Sequence, residues 1–417
     1  MAANLAIAAQ IPRVGRRLRQ PKHTWSVKHL PWAIQPVCIA PVLPGETLKN
    51  ALVQARAVTQ PIKHPLIGWW LEYYWFYVKH RCLADGDTLQ QMMLDPAIKA
   101  PNQVAASVPL YSSAGRPRYI AQCLDAVVET FFRDRGATAA SVPDIGGVRA
   151  ARIQDESWMN SANTVALNNA GDFNVDSDAD SVIEASEVAS AYERWQFMRL
   201  NNLTDATYED YLRSYGIRVQ SETDEYPELI RYTREWQYPS NTIDPLTGAP
   251  SSAVSWSIAE RADKDRFFRE PGFIFGVTLA RPKVYLSGQV ASAIQLLDDA
   301  YAWLPAILRD DPMTSVRAVT PAGMVPNVTA GQAIDVRDLF LYGDQFTNYT
   351  IAAAGDGSTV ALPTATNWRY PTEAMAKLLF VNSSNPTGVE QDGIVRLSIL
   401  GSQVDHTPRG SVAGQSA

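Results

Sequence analysis

The chain has 417 residues, of which 46% are hydrophobic and 19% charged, and its net charge is −6. This composition excludes wholesale disorder and allows a large core. The acidic balance also excludes a protein that is basic all over, so any nucleic-acid contact has to come from a local basic segment.

The first residues, MAANLAIAAQIP, lack a positive n-region, and their apolar run is too short to predict a signal peptide. Nowhere do about 18 apolar residues run together, so no transmembrane helix is expected. Arg13, Arg16, Arg17, Arg19 and Lys22 then fall within ten residues, with Gly15 and Pro21 opposing regular structure. This tail reads either as a solvated terminus or as a flexible arm that neutralises phosphates without sequence choice.

WAIQPVCIAPVL, from Trp32, predicts a strand near a sheet edge, because proline cannot donate to an interior ladder. Pro44-Gly45 in LPGET predicts a tight turn. TLKNALVQARAV predicts a second strand, and WWLEYYWFYVK a third, favoured over a helix by its aromatic content and by the flanking Pro65 and Gly68. On that third strand Trp69, Leu71, Tyr73, Trp75 and Tyr77 share one face, with Trp70, Tyr74, Phe76 and Val78 on the other. A strand apolar on both faces has to be covered on both.

DTLQQMMLD from Asp87, RYIAQCLDAVVETFFRDRG, SEVASAYERWQFMRLNN and TDATYEDYLRSYG predict helices. Residues 220–260, rich in Pro, Ser and Thr, predict a long excursion of surface loops. GFIFGVTLARPKVYLS from Gly272 restores β character. In the C-terminal third, EAMAKLLFV and DGIVRLSILG predict strands. Strands near both ends, with helices and loops between them, point to one β-sandwich with large insertions.

Catalytic signals are sparse. His23, His29, His64, His80 and His406 show no metal-binding spacing and are expected in turns or on the surface. Cys38, Cys82 and Cys123 form neither a disulfide framework nor a zinc pattern, which predicts reduced, buried thiols in a protein made in a cytoplasm. Asp172, Asn174, Asp176, Asp178 and Asp180 alternate as calcium-loop ligands do. However, Ser177 stands where glycine is needed and Ile183 where a bidentate carboxylate is needed, so no metal or cofactor is expected. Glu72 among the rings is the one candidate acid of a sandwich glycosidase, though its second carboxylate would have to come from elsewhere. The alternative for Glu72 is a structural pair with an arginine.

Several blocks together resemble the major capsid proteins of the small tailless single-stranded DNA phages, the Microviridae, and their gokushovirus-like branch in particular. The blocks are Leu43 to Thr47, Ala55-Arg56, Pro61, Pro65 and Phe76 to Arg81, then Arg194 to Val219, Glu225 to Ile230 and Arg269 to Tyr285. The resemblance implies a mainly β fold, an eight-stranded antiparallel viral jelly roll with long inserted loops and several α-helices. It also implies a non-enzymatic chain that self-assembles into a small icosahedral shell, with T=1 geometry, in the bacterial cytoplasm. That virion would enclose circular single-stranded DNA, carry minor proteins in some cases, and involve no membrane. On this reading residues 1–30 are a basic arm, with Arg13, Arg16, Arg17, Arg19 and Lys22 as the nucleic-acid-binding residues. Residues 31–417 are one jelly-roll domain, with insertions at roughly 84–270 and 290–370. The competing expectation is a carbohydrate-binding or carbohydrate-active β-sandwich that uses the aromatic strand as a platform.

Overall fold

The computed structural model describes residues 17–63, 67–84, 86, 118–132, 142–152, 165–166, 193, 226–243, 248, 250–262, 265–283, 285–286, 316–320, 323–326, 332–335, 359–360, 370–384 and 386–401. The strands are, in chain order, β1 (Arg17–Arg19), β2 (Lys22–His29), β3 (Gln35–Val42), β4 (Thr47–Thr59) and β5 (Trp69–Lys79). A helix, α1 (Tyr119–Val127), continues into a π-helical turn, Val128–Phe132. There follow the short β6 (Asp144–Ile145), β7 (Val148–Arg149) and β8 (Val165–Ala166), then β9 (Glu228–Gln237), β10 (Ser240–Ile243), β11 (Pro250–Ala253), β12 (Ser255–Ala262) and β13 (Arg266–Phe267). Next come β14 (Gly272–Pro282), β15 (Tyr285–Leu286), β16 (Val316–Thr320), β17 (Gly323–Pro326), β18 (Gln332–Asp335) and β19 (Thr359–Val360). The helix α2 (Glu373–Leu378) and β20 (Val389–Gly401) complete the order.

Eight of these strands build two antiparallel sheets. The first runs β2, β20, β4, β12, with β1 and β13 extending its outer members; the second runs β3, β14, β5, β9. Ranked along the chain, the first of the eight pairs with the eighth, the second with the seventh, the third with the sixth and the fourth with the fifth. The pairing is therefore nested, as in one long hairpin whose tip is β5 and β9. Edge placement follows chemistry: β3, which carries Pro36 and Pro41, lies at an edge where missing donors cost nothing. Gly45 takes φ 83 in the turn between β3 and β4, a conformation that glycine adopts without a Cβ penalty.

The sheets bury a common core. Trp25, Val53, Trp256, Val395 and Leu397 from the first meet Leu71, Tyr73, Trp75, Tyr77 and Ile274 from the second. The opposite face of the second sheet is also covered. Phe76, Val78, Phe275, Val277 and Leu279 pack with Cys123, Leu124 and Val127 of α1 and with Phe132. The aromatic strand is thus apolar on both faces because both are covered, the inter-sheet face fully and the other at Phe76 and Val78, with Trp70 and Tyr74 half-buried. Fully burying one such ring is worth about 2–3 kcal/mol before chain entropy is subtracted.

Two tryptophans lie flat over glycines on neighbouring strands, Trp25 over Gly393 and Trp75 over Gly276. A Cβ on Gly393 would come 2.2 Å from Cζ2 of Trp25. Trp25 is itself buried and cannot swing out. Gly393→Ala is therefore expected to cost about 1–3 kcal/mol in chemical denaturation through overpacking. An unchanged midpoint would show that the ring moves aside freely.

Several expectations change. Residues 220–260 are not mainly surface loops: they contain β9 and β12, members of the two main sheets, and β10 and β11. Their signal is hidden because β9 is an edge strand of half-buried and exposed residues, and its charges interrupt the apolar alternation. The expected insertion at 84–270 accordingly ends before β9. EAMAKLLFV is largely helix rather than strand. Thr372 caps α2 by accepting a hydrogen bond from the Met375 amide at 3.3 Å, and Lys377 pairs with Glu373 one turn back. The sheet also reaches into the expected arm: β1 covers Arg17–Arg19, and β2 fills residues 22–29 with Trp25 in the core. The predicted helices at 87–95 and 204–216, the acidic loop at 172–184 and, apart from Glu193, the predicted helix at 186–202 lie outside the described residues.

Candidate functional site

Glu72, fully buried, points away from the inter-sheet core, on the same side of β5 as Trp70 and Tyr74. Arg234 stands opposite it on β9. Arg281 lies two residues beyond Leu279, its partner on β14. Arg234 Nε is 3.1 Å from Glu72 Oε1, Arg281 Nη2 is 3.1 Å from Oε2, and the Tyr74 hydroxyl donates to Oε2 at 2.8 Å. The Arg234 guanidinium also lies 3.7 Å over the Trp70 ring, which contacts Trp236 at 4.4 Å between centroids. Two guanidiniums favour the ionised carboxylate. The arrangement suits a structural anchor that ties three strands together, as the pairing alternative anticipated.

A second polar cluster sits between the sheets. The amide oxygen of Gln391 on β20 accepts from Tyr73 at 2.8 Å and from Thr278 at 3.1 Å. Its nitrogen donates to Nε2 of His29 at 2.7 Å, and the Nδ1 proton of His29 goes to the Leu30 carbonyl at 3.0 Å. These bonds require the neutral imidazole. Burial pushes the pKa of His29 down to about 4, opposed by the backbone bond to Leu30. The expectation of a surface residue is therefore corrected for His29: it is buried, and it satisfies a glutamine donor in the core. Cys38 and Cys123 are buried free thiols, and Cys82 is half-buried and free.

The five candidate basic residues separate. Arg13 and Arg16 lie outside the described residues. Arg17 is in β1, opposite Gly401. Arg19 turns inward, donating from Nε and Nη2 to the two oxygens of buried Glu46 at 2.8 and 2.6 Å, and Nη2 also reaches the Pro41 carbonyl. Arg19 is thus engaged in an ion pair with Glu46. Lys22 is exposed on the outer face of the first sheet.

Lys22 belongs to a group that local sequence does not announce. Register places Lys22 beside Arg396, Arg396 beside Leu52, and Leu52 beside Arg261, one row across four strands with three cations and no acid. The next outward row, Thr24, Ile394, Gln54 and Ala259, is uncharged. Beyond it Asp392 stands opposite Arg56, and Lys28 donates to Glu390 at 2.8 Å. Arg396 and Arg261 lie far from Lys22 in sequence, and only strand register could have linked them.

No family model matches the chain, and no curated protein matches it.

Proposed function

We propose that this chain is a major capsid protein whose eight principal strands form a viral jelly roll. In this role it assembles with copies of itself into a small icosahedral shell, with T=1 geometry, around circular single-stranded DNA in the bacterial cytoplasm. Minor virion proteins are further candidate partners, and no catalysis is assigned to the chain. The observation that carries the reading is the nested pairing of eight strands in the orders β2-β20-β4-β12 and β3-β14-β5-β9, which supports a jelly-roll wrapping. The wrapping also occurs in lectins and other folds, so the fold alone does not choose.

Two features favour a shell subunit. Residues 80–227 and 283–388 intervene between consecutive principal strands, long segments of the kind that shell proteins use to contact neighbouring copies through heterologous, closing interfaces. A sugar platform on the aromatic strand would need open rings, whereas Trp69, Tyr73, Trp75, Phe76 and Tyr77 are all buried. The family resemblance of the sequence blocks points the same way.

Electron microscopy of the purified full chain tests the proposal. Uniform small icosahedral particles are expected. A monodisperse monomer that is retained on immobilised glycans would overturn it.

A further inference from the structure

An open sheet edge is a template for another strand unless the chain blunts it with proline or charge. β3 carries Pro36 and Pro41, β9 mixes arginines with glutamates, and β2 carries Lys22 and Lys28. β10, the four residues Ser240–Ile243, has neither proline nor charge, and all four are exposed. It pairs with β11 on one side, and among the described residues no strand pairs with its other side. β11 is anchored to the body: the Ser252 carbonyl accepts from the Ile62 amide at 2.9 Å, and the Val254 carbonyl accepts from the Thr59 amide at 2.9 Å. Because Ser252 turns its carbonyl away from β10, its pair with Asn241 is of the non-hydrogen-bonded kind. Asn241 and Ile243 therefore direct their own N–H and C=O groups towards the open edge. Ile243 is 72% exposed, and Tyr238, just before the strand, is 62% exposed.

We infer that a second copy of this chain docks on this edge, its β10 pairing antiparallel with the first about a two-fold axis. A two-stranded hairpin with so short a strand is marginal alone, whereas two such hairpins joined edge to edge make a four-stranded sheet. Antiparallel pairing of identical strands is self-complementary, as a two-fold contact requires. The register that uses both outward-facing residues sets Asn241 opposite Ile243 of the second copy, and Thr242 opposite Thr242 on the axis. Each of the two outward pairs exchanges both of its N–H and C=O groups, which adds about four backbone hydrogen bonds. Threonine facing threonine is a favourable cross-strand pair, and an uncharged strand meets its own copy without like-charge repulsion. The exposed Ile243 and Tyr238 supply apolar surface beside these bonds. The inference goes beyond the capsid reading and draws on it only to place the contact at a two-fold axis of the shell.

Sedimentation velocity of the full-length chain over a range of concentrations tests the contact. Wild type is expected to run as dimers or as larger species built from them. Thr242→Lys and Thr242→Glu should each weaken self-association by roughly tenfold, because like charges then face each other across the axis. An equimolar mixture of the two variants should restore it, which misfolded chains would not do, and Thr242→Ser should behave as wild type. Wild-type association in both charged variants overturns the contact. So does a mixture as weak as its components, or a wild-type chain that stays monomeric at every concentration. Electron micrographs of the same samples separate this contact from the shell. Shells that form equally well from either charged variant overturn the contact alone. Wild-type dimers that the charged variants lack, in a chain that forms no shells, overturn the shell alone.

Discussion

Glu72→Ala is expected to destabilise the chain by about 3–5 kcal/mol, the cost of leaving a buried cation without its counter-charge. The carboxylate is fully buried between Arg281, whose side chain is 3% exposed, and Arg234. Removing it leaves the Arg281 guanidinium in a low-dielectric site where water cannot replace it. It also takes one hydrogen-bond acceptor from the Tyr74 hydroxyl. Glu72→Gln keeps an acceptor for Tyr74 but not the charge, and should fall between wild type and alanine. The double variant Glu72→Leu, Arg281→Met removes the two most buried of the three charges, leaves the more exposed Arg234, and should recover part of the loss, since paired burial of ions often gains little over apolar packing. Urea denaturation of the four proteins gives the comparison. If Glu72→Ala unfolds at the wild-type midpoint, the triad is not holding the sheet, and a chemical role for the carboxylate regains its standing.

Acid should weaken the fold through His29. In the unfolded chain the imidazole takes a proton near 6.5, and in the folded chain only near 4. Between these values the unfolded state binds more protons, so the contribution is complete above about 6.5 and declines as pH falls towards 4. The separation of about 2.5 units corresponds to a loss of about 3 kcal/mol. Protonation would also put a donor on Nε2, against the Gln391 amide that now donates to it. His23 and His80 shift in the same direction, each by desolvation, and add to the slope. The diagnostic quantity is therefore the difference between wild type and His29→Gln, measured by denaturation at pH 7 and pH 4.5. The variant should start less stable but lose less on acidification. Parallel pH profiles would show that His29 is not the group responsible.

Much of the β framework is legible in local pattern. Edge prolines mark β3, the LPGET turn marks the step to β4, and alternation assigns the two faces of β5 correctly. These features are local: a turn needs only its own residues, and a strand face only its own period. β9 escapes such a reading because its edge position fills it with arginines and glutamates. The stretch at 373–381 escapes it because a short apolar run does not by itself distinguish six residues of helix from a strand. The partners of Glu72 come from strands more than 150 residues away, so one arginine partner is foreseeable by chemistry, but which arginines is not. The same holds for His29 with Gln391 and for Lys22 with Arg396. Each pair depends on register between chain ends, which no window of sequence contains.

That dependence also governs how the protein is made. β20 lies inside the first sheet, flanked by β2 and β4, yet it is the last principal strand to leave the ribosome. Until β20 is made, the facing edges of β2 and β4 have no partner, and the core has only one complete wall. Completing the first sheet has to await β20, and it requires closure of a loop from residue 22 to residue 396, a non-local step of the kind that slows folding. A chain stopped before Val389 lacks an inner strand of one sheet, so truncated products cannot complete the fold.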